Sequence, residues 1–189
     1  MRALKTMPGR EPSRSGSPKD ADREVTALYL THYRPLVRIA ALLVQDLAVA
    51  EEIVQDSFVA VHAAWRRLPD AEHALSYLRR SVVNRSRAAL RRHVVVDKLA
   101  PDVPGDPGET SIEVERSAFI SALWTLPPRQ REVVVLRYFA DLPETQVASA
   151  TGISETAVKA YAALAMSSLR TELGKAGSAT EAGPGSPSL

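Results

Sequence analysis

The chain has 189 residues, of which 45% are apolar and 24% charged, and its formal net charge is +2. These proportions are typical of a soluble globular protein with one domain or two small ones. The chain contains no cysteine, which excludes a disulfide framework, a thiolate metal site and a cysteine nucleophile. No apolar run reaches the ~20 residues of a membrane span, and no apolar stretch follows the basic start. The sequence therefore predicts a cytoplasmic protein with no membrane insertion.

Glycine and proline divide the chain, because they are concentrated in residues 1–20, 97–116 and 174–189. The residues at the two ends of the chain are mostly small and polar, which predicts a disordered N-terminal extension and a disordered tail. The middle stretch is acidic as well as rich in proline and glycine, and it predicts a flexible linker. Two folded domains remain, residues 21–96 and residues 117–173.

Apolar residues recur at helical spacing through the first domain. The first predicted helix covers residues 25–43 and contains Pro35 as a kink or a break. A second follows the N-cap residue Asp46 and ends at Pro69, and a third covers residues 74–93.

The second domain also has a helical pattern. Its predicted helices cover residues 119–124, 129–139, 143–151 and 154–173. The valine run 133–135 favours a strand by propensity, but no partner strand with an alternating pattern exists. The predicted fold class is therefore all-α, with two small helical domains joined by the acidic linker.

Nothing in the sequence predicts catalysis. No glycine-rich loop suits a nucleotide phosphate, and no serine lies in a nucleophile elbow. The histidines are scattered, and we expect none to have an acidic or histidine partner at the spacing of a helical metal site. They are His32, His62, His73 and His93. We predict a protein that is not an enzyme and uses no metal or cofactor.

The third helix carries an uncompensated run of arginines. They are Arg79, Arg80, Arg85, Arg87, Arg91 and Arg92. At helical spacing Arg80, Arg87 and Arg91 share one face, and such a face suits DNA phosphates. Asn84 on this helix could hydrogen-bond a base edge, and Tyr77 could stack on a base. The alternative is a solvated basic face in which some arginines pair with Glu51 or Glu72.

Residues 144–159 have the pattern of a helix-turn-helix. A short helix ends at Gly152, Ser154 caps the next helix, and Ala148 and Val158 lie where the two helices pack together. Helical hairpins of other kinds can give a similar pattern.

Three stretches resemble the extracytoplasmic-function (ECF) group of RNA polymerase sigma factors. Residues 50–58 resemble the region-two segment that contacts the polymerase clamp helices. Residues 77–92 resemble the helix that opens the promoter and reads its −10 element. Residues 126–142, followed by the helix-turn-helix, resemble region four. The resemblance covers both folded domains and implies an all-α sigma factor that binds core RNA polymerase and promoter DNA.

The resemblance also implies roles for particular residues. The polymerase-binding residues would be Glu51, Glu52, Gln55 and Asp56. The −10 and melting residues would be Tyr77, Arg79, Arg80, Asn84, Arg85, Arg87, Arg91 and Arg92. The −35 residues would be Ser154, Glu155, Thr156, Ala157, Lys159 and Tyr161. Residues 160–164 contain no arginine, so we expect a shallow −35 preference.

Two other functions are consistent with the same residues. One is a helix-turn-helix regulator that binds duplex DNA without polymerase, although the first domain shows no sensor or dimerisation pattern. The other is a helical adaptor for a protein partner, which would not need the arginine run. An anti-sigma protein is a further candidate partner.

Overall fold

The computed structural model describes residues 18–96 and 111–181, and all regular secondary structure within these ranges is helical, as predicted. The predictions for residues 1–17, 97–110 and 182–189 lie outside the described residues.

Seven α-helices form two domains within the described part of the chain. The first domain contains α1 (Pro18–Val44), α2 (Leu47–Ala64), a 3-10 turn (Trp65–Arg67) and α3 (Ala71–Val96). The second contains α4 (Ser111–Thr125), α5 (Pro128–Val134), a π-helical turn (Val135–Phe139), α6 (Glu144–Thr151) and α7 (Glu155–Glu181).

Three helices extend into segments that the sequence analysis assigned to disorder or linker. Helix α1 begins at Pro18, and proline is favoured at the first position of a helix. The start of α4 at Ser111 follows a Thr-x-x-Glu pattern in residues 110–113, a common helix-start signal. Helix α7 continues through residues 174–181, which contain no proline to end it.

Two boundaries in the first domain have local causes. Helix α1 runs through Pro35 without ending, so the predicted break does not occur there. Helix α3 begins at Ala71, three residues before the predicted start. The cause is Asp70, whose carboxylate accepts a hydrogen bond from the backbone N–H of His73 at 2.8 Å and so caps the helix.

The apolar residues that recur at helical spacing in α2 form the buried face of that helix. Asp46 caps α2, because its carboxylate accepts a hydrogen bond from the backbone N–H of Val49 at 3.0 Å. The stripe is formed by Ala50, Ile53, Val54, Ser57, Phe58 and Val61. Its burial against α1 and α3 leaves the acidic side of α2 in solvent.

The second domain contains the predicted helix-turn-helix, formed by α6 and α7. Gly152 has φ of 72°, and its N–H donates to the carbonyl of Ala148 at 2.8 Å, which ends α6. The backbone N–H of Ala157 donates to Ser154 Oγ at 3.2 Å and so caps α7. Val158 is buried between the helices. The prediction of a helix-turn-helix is confirmed.

The two domains pack directly against each other, which the sequence analysis did not predict. Helix α3 lies on α6, and α1 lies on the π-helical turn 135–139. One connected set of buried apolar side chains runs through both domains. This docking decides which arginines of α3 face solvent.

Candidate nucleic-acid interface

The outward face of α3 presents several of the predicted DNA-binding side chains together. A depression of about 330 Å³ is lined by Tyr77, Arg80, Ser81, Asn84, Arg85 and Ala88. Arg80 and Asn84 are exposed, and 41% of the Tyr77 surface is accessible. Arg91 and Arg92 are exposed further along the helix. A phenol, an amide and several guanidinium groups therefore lie side by side on one accessible face.

The inward face of α3 carries the other two arginines, Arg79 and Arg87, toward the second domain. Sequence spacing placed Arg87 on one face with Arg80, about 20° away around the helix. The structure separates them, because Glu132 of α5 binds the Arg87 side chain.

Arg87 forms a two-pronged ion pair with Glu132. Its Nε and Nη2 atoms each donate to a carboxylate oxygen at 2.6 Å, and Nη2 also donates to the carbonyl of Thr151 at 2.9 Å. Its Nη1 atom donates to Asn84 Oδ1 at 3.1 Å. Four of its five N–H groups are thus used (one on Nε, one on Nη1 and two on Nη2). Only 19% of the Arg87 side chain and 6% of that of Glu132 are exposed.

Arg79 forms the second polar contact between the domains. Its Nη1 atom donates to Gln146 Oε1 at 2.8 Å. Burial lowers the pKa of Arg79, and the charge of Glu72 opposes that shift. In the alternative interpretation some α3 arginines pair with Glu51 or Glu72; Glu72 acts on Arg79 through its charge, whereas the direct contacts of these arginines are with Asp56, Glu132 and Gln146.

The predicted polymerase-binding residues form an exposed acidic strip on α2. They are Glu51, Glu52, Gln55 and Asp56. Asp56 Oδ2 accepts a hydrogen bond from Arg85 Nη1 at 2.7 Å, which joins this strip to α3. A groove of about 640 Å³ runs between the two helices, with Glu52 and Asp56 facing Arg85, Arg91 and Arg92. The acidic and basic surfaces are therefore neighbours.

The predicted −35 residues lie at the start of α7. Ser154, Glu155, Thr156 and Lys159 are exposed, whereas Ala157 and Tyr161 are partly buried. The Ala157 N–H donates to Ser154 Oγ at 3.2 Å, so this backbone amide is already used within the chain. Lys159 Nζ lies 3.4 Å from Glu144 Oε2, which places a carboxylate beside the basic side chain of this surface.

The histidines correct one prediction. His73 has an acidic partner three residues before it, because His73 Nδ1 lies 2.8 Å from Asp70 Oδ2. Hydrogen bonds from the His73 backbone and side chain lower the pKa of Asp70. His62 Nε2 lies 2.7 Å from Asp22 Oδ1. Even so, residues 18–96 and 111–181 contain no group of three or more histidine or carboxylate side chains placed to hold a metal ion.

The sequence analysis missed the acceptors on the second domain, Glu132, Gln146 and the Thr151 carbonyl. The sequence does contain a signal for Glu132. Arg131 and Glu132 directly precede the apolar run 133–136, so two charged side chains adjoin a segment with the composition of a buried core. Its neighbour Arg131 is also buried, with its guanidinium 3.6 Å from the centre of the Trp124 ring. Burial lowers the pKa of Arg131, while the charge of Glu132 acts to raise it.

The helices of the described residues include none with the length and apolar character of a membrane span.

Comparisons with known proteins identify the family. The family model for sigma-70 region 2 matches residues 28–94, and that for sigma-70 region 4 matches residues 116–169. The RNA polymerase sigma-E factor of Streptomyces coelicolor is 30% identical over 145 residues, covering 76% of this chain and 82% of the relative. The ECF RNA polymerase sigma factor SigL of Mycobacterium tuberculosis is 28% identical over 161 residues, covering 80% and 89%.

The fold also matches a solved structure. The sigma factor RpoE of Bartonella quintana, in complex with the anti-sigma factor NepR, aligns with a TM-score of 0.64 at 19% identity. The alignment covers 80% of this chain and 97% of RpoE. The two family matches and the sigma-E relative show that the chain belongs to the sigma-70 family of RNA polymerase sigma factors. Within that family it is an ECF sigma factor, and the resemblance stated from its motifs is confirmed.

Proposed function

We propose that this chain binds core RNA polymerase, directs it to a promoter and opens the DNA there. It acts in the cytoplasm, as a binding protein rather than an enzyme. The observation that carries the proposal is the outward face of α3, where Tyr77 and Asn84 lie among exposed arginines on a sigma region-two fold.

Each part of that face suits one step of promoter opening. Arg80, Arg91 and Arg92 are exposed and can neutralise backbone phosphates. Tyr77 offers a ring on which an unstacked base can lie, and Asn84 offers an amide for a base edge. The free energy of opening comes from binding unstacked bases and backbone, so the mechanism needs no nucleotide hydrolysis by this chain.

The acidic strip of α2 is the proposed polymerase contact. Its carboxylates are exposed, and they would face basic clamp residues of the polymerase. The helix-turn-helix serves mainly to anchor the complex, because its exposed front offers hydroxyl and amide donors but few side chains that reach bases. An anti-sigma protein is a candidate partner, since the Bartonella relative was solved with one.

The test is reconstitution with purified core polymerase. We expect the chain to co-purify with core polymerase. We also expect it to direct initiation in vitro at specific promoters where core polymerase alone does not initiate. A regulator of duplex DNA would instead bind a DNA fragment without polymerase and direct no initiation by core enzyme. An adaptor would bind neither core polymerase nor DNA.

A further inference from the structure

A cavity of about 400 Å³ lies where α1 and α3 meet α5. Small-molecule sites in proteins commonly have volumes of about 300–1,000 Å³, so this cavity is large enough for a ligand. Leu43 and Ser86 in its walls are buried, whereas Arg91, Pro128 and Arg129 are exposed. The cavity therefore has a buried part and an exposed rim through which a molecule can enter.

Ser86 gives this cavity a polar atom that has no hydrogen-bond partner among the described residues. Only 2% of Ser86 is exposed, and its Oγ atom forms no hydrogen bond there. Ser57 shows how a buried serine on a helix is usually satisfied, because its Oγ donates to the carbonyl of Ile53 at 2.8 Å. A buried hydroxyl without a partner is destabilising. A molecule bound in the cavity would supply the partner that Ser86 lacks.

Arg131 adds a buried cation to the same cavity. Only 4% of Arg131 is exposed, and its guanidinium lies 3.6 Å from the centre of the Trp124 ring. Its one hydrogen bond within the described part of the chain runs from Nη1 to the Trp124 carbonyl at 3.5 Å. The neighbouring Glu132 directs its carboxylate to Arg87 instead. Because a buried charge is costly without a counterion, this position favours an anion.

The other charged groups around the cavity are also mainly positive. Arg87, Arg91 and Arg129 line it together with Arg131, and Glu132 is the one acid in its walls. The Glu132 carboxylate is bound by Arg87 at 2.6 Å and has Arg129 Nη1 3.4 Å away. Its charge is therefore already balanced, and the remaining guanidinium groups attract an anion.

The rest of the lining is apolar. It consists of Leu43, Leu90 and Pro128, and the aliphatic parts of the arginine side chains extend this surface. A cavity of about 150 Å³ can hold benzene, so one of about 400 Å³ has room for roughly 16 non-hydrogen atoms. A medium-chain fatty acid has this size, whereas a nucleoside triphosphate is too large.

We propose that this cavity binds an amphipathic anion, a small molecule with one carboxylate or phosphate group and an apolar body. The anionic group would accept hydrogen bonds from guanidinium N–H groups and from the Ser86 hydroxyl. The apolar body would lie against Leu43, Leu90 and Pro128. The proposal does not rest on the proposed function, because binding is measured without DNA or polymerase.

The test is a titration of the full chain, labelled with ¹⁵N, in which the indole N–H signals of its two tryptophans are observed by NMR. Trp124 contacts Arg131 and reports on the cavity, whereas Trp65 belongs to the first domain and serves as an internal control. The variant Trp65→Phe assigns the two signals. Octanoate and octyl phosphate carry the two candidate anionic groups on the same chain. Octanol carries the chain without the charge, and acetate carries the charge without the chain.

We expect at least one of the two amphipathic anions to shift the Trp124 signal saturably. Its dissociation constant should be below about 1 mM, from the free energy that small ligands gain per atom. The tighter of the two anions identifies the anionic group that the cavity prefers. Octanol and acetate at the same concentrations should leave the Trp124 signal unsaturated, and the Trp65 signal should stay in place throughout.

Two variants distinguish binding in the cavity from adsorption to the surface. Ser86→Ala should weaken binding of the preferred anion by about fivefold, the contribution of one hydrogen bond. Ser57→Ala is the matched control, because Ser57 is also buried but lies outside the cavity and is already hydrogen-bonded. Leu90→Phe places a larger side chain in the cavity and should weaken binding by at least about tenfold, because the ring takes space that the ligand needs.

Three results would overturn the proposal. The first is a Trp124 signal that neither amphipathic anion shifts. The second is an equal, saturable shift with octanol, which would mean that the arginines do not select an anion. The third is wild-type affinity in both Ser86→Ala and Leu90→Phe, which would place the ligand elsewhere on the chain. Reconstitution with core polymerase tests the proposed function separately, so either proposal can fail without the other.

Discussion

The buried ion pair between the domains makes a quantitative stability prediction. Glu132 receives Arg87 Nε and Nη2 at 2.6 Å each, and Arg129 Nη1 approaches the same carboxylate at 3.4 Å. Glu132→Gln keeps the shape of the side chain but removes its charge and places an N–H₂ group against guanidinium donors. The substitution therefore isolates the ion pair from the packing around it.

The expected loss of stability follows from the burial of the pair. Removing one partner of a buried ion pair costs about 3–5 kcal/mol. The lower end applies here, because Arg87 keeps its hydrogen bond to the Thr151 carbonyl and 19% of its side chain reaches solvent. With a urea dependence of roughly 2 kcal/mol per molar, a loss of about 3 kcal/mol lowers the unfolding midpoint by about 1.5 M.

Urea unfolding of the full chain, followed by far-ultraviolet circular dichroism, measures this midpoint. Glu172→Gln provides the same chemical change at a surface pair and should alter stability by about 0.5 kcal/mol or less. A Glu132→Gln midpoint within about 0.3 M of wild type would refute the reasoning, since it would place the pair in solvent. A double-mutant cycle that combines Glu132→Gln with Arg87→Met should give a coupling energy of about 1–3 kcal/mol if the pair is buried. A coupling energy near zero would accompany the refuting result.

The remaining predictions concern the proposed function. Glu52→Lys with Asp56→Lys should abolish binding to core polymerase in a pull-down without changing the helical circular dichroism, because both side chains are exposed. Arg80→Ala with Arg91→Ala should flatten the duplex-DNA salt slope by about 1.8, whereas Asn84→Ala should leave the slope unchanged and alter the −10 preference. Transcription can be measured from promoter libraries in which the −10 and −35 elements are randomised separately. Each substituted base pair of the −35 element should cost less than the ~1–3 kcal/mol of a typical specific site. A −35 preference as sharp as the −10 preference would contradict this expectation.

The features that the sequence predicted well are those encoded by neighbouring residues. The helix-turn-helix depends on Gly152, Ser154 and the apolar positions around them, all within a few residues of one another. The buried stripe of α2 likewise depends on spacing along one helix. Local periodicity and capping chemistry determine both, so no tertiary information was needed.

The features that the sequence analysis missed depend on residues far apart in the chain. Arg87 and Glu132 are separated by 45 positions, and Arg79 and Gln146 by 67. Helical angles group Arg87 with Arg80, but a long side chain near the edge of a face can turn toward either side. The direction of the Arg87 side chain is set by Glu132 of the second domain. The residue pattern of α3 contains no information about Glu132.

The charge of α3 explains why these acids matter even without DNA. Arginines that follow one another along a helix repel each other, and the repulsion weakens the fold unless negative groups lie close by. Asp56 neutralises Arg85 from within the first domain, and Glu132 neutralises Arg87 from the second. The first pair is largely solvent-exposed and adds little, whereas the second is buried and breaks only when the domains separate. The stability of α3 therefore depends in part on an acid that the second domain supplies.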